Sequence, residues 1–154
     1  AKIRHNKKLI SFIRKFFQLA RIQEDEMQED SYKDISFYYA TDNDNARIYV
    51  EYLKEQGWEY IYLTAFKDEK LNSVRFGSIQ SAHKVIGQEF NNVAVVITPD
   101  FYYDNNKLSY KSTSYYNPLE TLFQAVTRTR KKLKFVIINN PEVYKACMEI
   151  IHRK

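Results

Sequence analysis

The sequence contains few of the residues that interrupt helices and strands or that cross-link a chain. It has three glycines, three prolines and one cysteine, Cys147, in 154 residues. A single cysteine excludes an intrachain disulfide and a cysteine-rich metal site, and it fits a reducing compartment. The scarcity of glycine and proline argues against low complexity and disorder, so we expect regular elements joined by compact turns.

Long apolar runs are also absent. No run approaches the ~18 residues that a membrane-spanning helix requires, and the apolar stretch near the amino terminus is interrupted by Arg14 and Lys15. We therefore expect no membrane association, no signal peptide and a cytoplasmic location. Because the chain begins with Ala1 rather than Met, we also expect it to be part of a longer protein.

The common catalytic signatures are missing. The glycines at 57, 77 and 87 are too far apart to form a P-loop or a G-x-G-x-x-G dinucleotide fingerprint. The three histidines have no metal-ligand spacing, and no G-x-S-x-G sequence occurs. We therefore predict no metal site, and the chain alone lacks the parts of a familiar catalytic centre.

Apolar segments of two kinds alternate along the chain. Some repeat every three or four residues, as amphipathic helices do, and others are short and apolar throughout, as strands covered on both faces are. This alternation predicts a single α/β domain over residues 1–154, with a mostly parallel sheet and helices on both faces. Ligands of such sheets lie beyond the carboxyl ends of the strands. Helices are predicted at 6–21, 46–56, 118–128 and 141–152, strands at 35–40, 58–64, within 73–81, 93–98 and 133–139, and a hairpin turn at Asn105–Asn106.

The most basic segment follows the third predicted helix. The helical pattern places four basic residues at the end of that helix, directly before the apolar strand at 133–139. They are Arg128, Arg130, Lys131 and Lys132. Such clusters are usually solvated helix ends. The net charge of +5 permits a polyanionic partner but does not demonstrate one.

Three polar segments, each weak evidence alone, lie next to predicted strands or helices. In order and spacing they resemble motifs of the second RecA-like domain of UvrD-like superfamily 1 helicases. Ile3–Asn6 resembles the short motif IV, and Ser81–Phe90 resembles motif V, usually Thr-x-His-x-x-Lys-Gly-x-Glu-Phe. Leu122–Leu133 resembles motif VI, usually Leu-Tyr-Val-Ala-Leu-Thr-Arg-Ala-Arg. The sequences of these segments are most similar to the bacterial branch related to Schlafen-type helicase domains.

The resemblance implies a RecA-like three-layer fold and a role in ATP hydrolysis. Arg128 matches the motif VI arginine, and Arg4 the motif IV arginine, that reach the γ-phosphate of ATP. That ATP, with its Mg²⁺, would be held mainly by a first RecA-like domain that this chain does not contain. A guanidinium suits this role because it is permanently charged and can bind two phosphate oxygens at once. Arg130 and the two lysines beyond it would be structural or electrostatic.

The motif V positions carry the remaining expected contacts. Glu89 matches the glutamate that binds the nucleotide ribose, and Gly87 permits close backbone approach. Ser81 and His83 match positions near the path of single-stranded DNA or RNA, where hydroxyl and imidazole groups meet the phosphodiester.

The sequence also departs from the family pattern. Ile3 stands where many members have a tyrosine that stacks on adenine. Ile86 replaces the usual lysine before the glycine, with Lys84 as a possible substitute. Few residues lie between Leu63 and Ser81, so the large insertion of most UvrD-like enzymes is missing, which argues against strand separation by a UvrD-type mechanism.

We therefore expect the carboxyl-terminal half of an ATP-dependent DNA or RNA helicase or translocase, inactive as an isolated domain. One alternative is a non-catalytic α/β interaction or nucleic-acid-binding module whose helicase motifs are relics. Another is a nuclease or phosphotransferase that uses the acidic segment Glu24-Asp25-Glu26, although no further ligand pattern supports it.

Overall fold

The structure is a computed structural model that describes residues 6–24, 32–62, 80–81, 88–111 and 117–152. Within these ranges the chain forms four α-helices, one 3₁₀ helix and seven strands. In chain order they are α1 (Lys7–Phe17), the 3₁₀ helix (Leu19–Glu24), β1 (Ile35–Ala40), α2 (Asn43–Glu55), β2 (Glu59–Tyr62), β3 (Gln80–Ser81), β4 (Phe90–Ile97), β5 (Phe101–Asp104), β6 (Lys107–Tyr110), α3 (Pro118–Val126), β7 (Thr129–Ile138) and α4 (Pro141–Ile151).

Five strands form the central sheet in the order β1-β7-β4-β2-β3, and every pair in it is parallel. The two longest strands, β4 and β7, lie next to each other and pair from Phe90 opposite Thr129 to Ile97 opposite Ile137. This confirms the predicted α/β class with a mostly parallel sheet. The arrangement is consistent with a RecA-like fold.

Helices cover both faces of the sheet, as predicted. Val93, Val95 and Ile97 on β4 face a core built with α1, α3 and α4. Ala94 and Val96, which alternate with them, face a smaller core built with α2. Because each strand residue in this region is covered on one side or the other, β4 is apolar from 93 to 97, and this removes the period-two pattern of a half-exposed strand.

Side-chain caps fix where the helices begin. The Oδ1 of Asn6 accepts a hydrogen bond from the Leu9 N–H at 3.1 Å and so caps α1. Gly57 follows α2 with φ +93°, the left-handed conformation that glycine commonly adopts after a helix. The first helix is shorter than predicted: α1 ends at Phe17, and the chain continues as a 3₁₀ helix to Glu24.

Strands β5 and β6 form the predicted hairpin. Asn105 and Asn106 at its tip have φ of 52° and 69°, the left-handed values of a type I′ turn. The hairpin lies beside α1, and the Leu19 N–H donates to the Asn106 carbonyl at 2.7 Å.

The basic cluster does not lie at a helix end, and that prediction is wrong. Helix α3 stops at Val126, Thr127 and Arg128 form a turn, and Thr129 already begins β7. Arg130, Lys131 and Lys132 are therefore exposed residues of the strand. The sequence pattern did not indicate this part of the strand, because the first residues of β7 are polar and form no apolar face.

No helix in the described part of the chain is both long enough and apolar enough to cross a membrane.

Candidate functional site

The fold brings two of the predicted site residues together. Glu89 immediately precedes β4, and Arg128 immediately precedes β7, which is the neighbour of β4 in the sheet. The Phe90 N–H donates to the Arg128 carbonyl at 2.9 Å, so the two entry points are joined directly. We call this pair the Glu89–Arg128 site.

The site lies at the amino ends of the strands, whereas the sequence predicted ligands at the carboxyl ends. Glu89 and Arg128 stand where the chain enters β4 and β7, and all strands of the sheet run in the same direction. The general rule for open α/β sheets places ligands outside the carboxyl ends of the strands, so the predicted location is wrong for this pair of residues.

Arg128 is half-buried and held against the end of α3. Its Nε donates to the Gln124 main-chain carbonyl at 3.1 Å, and its Nη2 lies 3.5 Å from the Thr127 hydroxyl. Within the described residues, no carboxylate forms an ion pair with Arg128. The side chain is thus oriented by neutral oxygens, and its terminal N–H groups keep the capacity to bind an anion.

Glu89 is paired with the other arginine of the segment. Arg130 Nε lies 3.4 Å from Glu89 Oε1, with the arginine side chain 55% exposed and the glutamate side chain 19% exposed. A pair of this exposure and length contributes little to stability. Its effect is local, because it holds the Glu89 carboxylate beside β7, close to the chain entry that carries Arg128.

Two buried polar atoms next to Arg128 were missed by sequence reasoning. Gln124 Oε1 and Thr129 Oγ1 are shielded from solvent and have no hydrogen-bond partner within the described residues. A buried polar atom without a partner costs about 1–3 kcal/mol, and such atoms are uncommon in folded proteins. No sequence signal reveals them, because both residues lie in a segment whose other members follow an ordinary amphipathic pattern.

The other predicted residues do not join this site in the described part of the chain. Ser81 is the last residue of β3 and pairs with Tyr62, the last residue of β2. It therefore lies towards the carboxyl ends of the strands, away from Glu89 and Arg128. Arg4, His83 and Gly87 lie outside the described residues, as do Ile3, Lys84 and Ile86.

Metal-ligating side chains, the single cysteine and the acidic segment form no second site within the described residues. No cluster of three or more metal-ligating side chains occurs among them. Cys147 is buried in the core, and burial raises the pKa of its thiol, which keeps it protonated and unreactive near neutral pH. Of the acidic segment, Glu24 ends the 3₁₀ helix, and Asp25 and Glu26 fall outside the described ranges.

Comparison with known proteins adds no family assignment. The sequence matches no protein-family model, and no curated protein is detectably similar to it. The helicase resemblance therefore rests on the sequence motifs.

Proposed function

We propose that this chain is the second RecA-like domain of a superfamily 1 helicase or translocase that hydrolyses ATP. The observation that carries the proposal is the Glu89–Arg128 site. Two residues that are 39 positions apart in sequence, one from each motif, supply an acidic and a basic side chain at adjacent strand entries. The resemblance assigns those same two side chains to one nucleotide.

In this proposal, Arg128 approaches the γ-phosphate of ATP that is bound, with Mg²⁺, by a first RecA-like domain. Its guanidinium stabilises the charge that shifts onto phosphate oxygens during transfer. The Gln124 carbonyl orients the side chain for this contact. Arg4 adds a second cation, and the Glu89 carboxylate accepts hydrogen bonds from ribose hydroxyls near Gly87.

Single-stranded DNA or RNA contacts a different part of the domain. Ser81 and His83 are the residues proposed to contact its phosphodiester backbone. Ser81 lies towards the carboxyl ends of the strands, so the nucleic-acid contact and the nucleotide contact use opposite ends of the same sheet. Movement of the domain on ATP binding would then be transmitted through the sheet.

Arg128→Ala in the full-length protein tests the proposal. We expect ATP turnover to fall by ~10³-fold or more, the usual effect of removing an arginine finger. The measurement is steady-state phosphate release with saturating single-stranded nucleic acid. Lys131→Ala is the matched control, because it removes an exposed cation three positions along the same segment and should leave turnover within about two-fold.

The fold of each variant is checked by circular dichroism and thermal unfolding. If a folded Arg128→Ala protein keeps its turnover, the assignment of the arginine is wrong. If the full-length protein itself hydrolyses no ATP, the alternative of a non-catalytic binding module replaces the proposal. The isolated 154-residue chain is expected to release no phosphate above the blank, because it supplies only half of the nucleotide site.

A further inference from the structure

A groove lies on the face of the domain formed by α1, β6 and α3, away from the α2 face. Its volume is about 470 Å³, and its floor is apolar. Phe123 lines the groove and is 46% exposed as a residue, whereas its neighbours Leu122 and Val126 on α3 are buried. We call this feature the α1–β6–α3 groove. Its floor is lined by Ile13, Phe17, Leu108, Leu119 and Phe123.

The exposed ring is held in a fixed orientation. Phe123 meets Phe17 of α1 edge-on, with ring centroids 5.7 Å apart and an angle of 74° between the ring planes. An edge-to-face contact of this kind occupies one edge or face of each ring and fixes their relative tilt. Phe123 is nevertheless 46% exposed as a residue, so a flat aromatic partner can reach it.

The rim of the groove is basic. Arg14 on α1, Arg21 on the 3₁₀ helix and Lys107 on β6 line it, and all three side chains are exposed. Glu120 is the single carboxylate among the described lining residues. Within the described part of the chain, no carboxylate forms an ion pair with Arg14 or Lys107.

The basic character extends along α1. Residues 6–22 include five lysines and arginines and no acidic residue. Lys7 precedes Arg14 by seven positions, about two helical turns, and therefore lies on the same side of the helix. A row of cations thus leads along α1 to the groove, with an exposed aromatic ring beside it.

We propose that the α1–β6–α3 groove binds single-stranded nucleic acid. A base stacks on Phe123, and the flanking phosphates pair with Arg14 and Lys107. Aromatic rings set in a basic channel are the usual means by which proteins hold single strands without reading sequence. A duplex fits less well, because its bases are stacked on each other and cannot reach the ring.

This contact goes beyond the function proposed above. It uses neither Ser81 nor the Glu89–Arg128 site, and it requires no ATP turnover. The groove would extend the strand path over the helical face of the domain and give the domain its own affinity for single strands.

Binding of a fluorescein-labelled 15-nucleotide oligothymidylate and of the matching oligouridylate to the 154-residue chain tests the proposal. Fluorescence anisotropy is recorded at several salt concentrations. We expect Phe123→Ala to weaken binding by about 5- to 150-fold, the range for loss of one base-stacking contact. The double variant Arg14→Glu/Lys107→Glu should lower the salt slope by about 1.4, since each lost phosphate contact accounts for about 0.7 in single strands.

Lys145→Glu is the matched control for charge. It reverses an exposed cation on α4 outside the groove and should change affinity by less than about three-fold. A 15-base-pair duplex should bind at least about five-fold more weakly than the single strand, because stacking on Phe123 is lost. Circular dichroism and urea unfolding confirm that each variant is folded.

Three outcomes would overturn the proposal. The first is no binding of either oligonucleotide to the wild-type chain, and the second is an equal loss in the groove variants and in Lys145→Glu. The third is displacement of the oligonucleotide by poly-glutamate at equal charge concentration, which would show a surface for acidic protein segments. All three readouts are independent of phosphate release, so failure here leaves the Arg128 proposal standing.

Discussion

Two arginines two positions apart have different surroundings. Arg128 lies in the turn after α3, half-buried, and its Nε donates to a main-chain carbonyl. Arg130 is on β7, more than half exposed, and pairs with Glu89. The turn at Thr127 and Arg128 causes the difference, because it changes the chain from helix to strand between them. Of the two, only Arg128 is oriented by a main-chain carbonyl and forms no ion pair with a carboxylate in the described part of the chain.

The buried side chain of Asn140 forms hydrogen bonds with three main-chain groups. It is 5% exposed, caps α4 by accepting from the Val143 N–H at 3.1 Å, and donates to the carbonyls of Thr98 and Phe101 at 3.0 and 2.8 Å. Asn140→Ala should lower the free energy of unfolding by about 2–4 kcal/mol, because it leaves buried carbonyls without their donor. Urea unfolding followed by tryptophan fluorescence measures the change.

Asn117→Ala is the control for the capping contribution of Asn140. Asn117 caps α3 from an exposed position, accepting from Leu119 and Glu120 N–H groups at 3.1 Å each. Its loss should cost about 1 kcal/mol. Equal losses in the two variants would mean that the bonds to Thr98 and Phe101 contribute nothing beyond the cap.

At the scale of elements, helices and buried strands could be predicted and their ends could not. The stripe of α3 and the run from Val93 to Ile97 have clear patterns, because burial on one side or on both leaves a periodic trace. The first four residues of β7 leave none: Thr129 is buried, and Arg130, Lys131 and Lys132 are exposed. Their pairing with β4 is a tertiary contact, so a local pattern could not reveal it.

The candidate site could also be predicted only in part from the sequence. The motif pattern selected Glu89 and Arg128, and the fold places them at adjacent strand entries. Their position at the amino ends already followed from the predicted strands at 93–98 and 133–139, which both begin after these residues. What the sequence did not reveal is that the strands begin as early as Phe90 and Thr129, directly beside the two residues. Gln124 and Thr129 were missed since their burial arises from packing of α3 against the sheet.

The hairpin tip offers a direct test of an element-level prediction. Asn106 has φ 69°, and its carbonyl accepts from the Leu19 N–H, which ties the turn to the 3₁₀ helix. Asn106→Gly keeps this main-chain bond and relieves the left-handed conformation, whereas Asn106→Ala keeps the bond and adds strain of about 1–2 kcal/mol. We expect the glycine variant to be the more stable by about 1 kcal/mol in urea unfolding. Equal stability would show that the turn does not hold this conformation in solution.

At the scale of the whole molecule, the parallel sheet separates three surfaces. The Glu89–Arg128 site lies at the amino ends of the central strands, and Ser81 lies towards the carboxyl ends. The α1–β6–α3 groove lies on the helical layer over one face. Because β4 and β7 support the site directly and their apolar residues face both cores, we expect the stability of these two strands to set the rigidity of the proposed nucleotide contact.

Native-state hydrogen exchange should show this hierarchy. Amides in the buried parts of β4 and β7 are enclosed by neighbouring strands and by helices on both faces, so they exchange only when the whole domain unfolds. The β5–β6 hairpin has two strands and exposed residues at its tip, and its amides should exchange at least about 10-fold faster.

The Asn140→Ala variant distinguishes exchange through unfolding of the whole domain from exchange through local opening of the hairpin. A loss of about 2–4 kcal/mol should speed exchange in β4 and β7 by about 30- to 900-fold, since each 1.4 kcal/mol is tenfold. The Asn106 variants should act mainly on the hairpin. If β4 and β7 were to exchange as fast as the hairpin in the wild-type chain, the sheet would open locally, and the strand entries could not hold Glu89 and Arg128 in fixed positions.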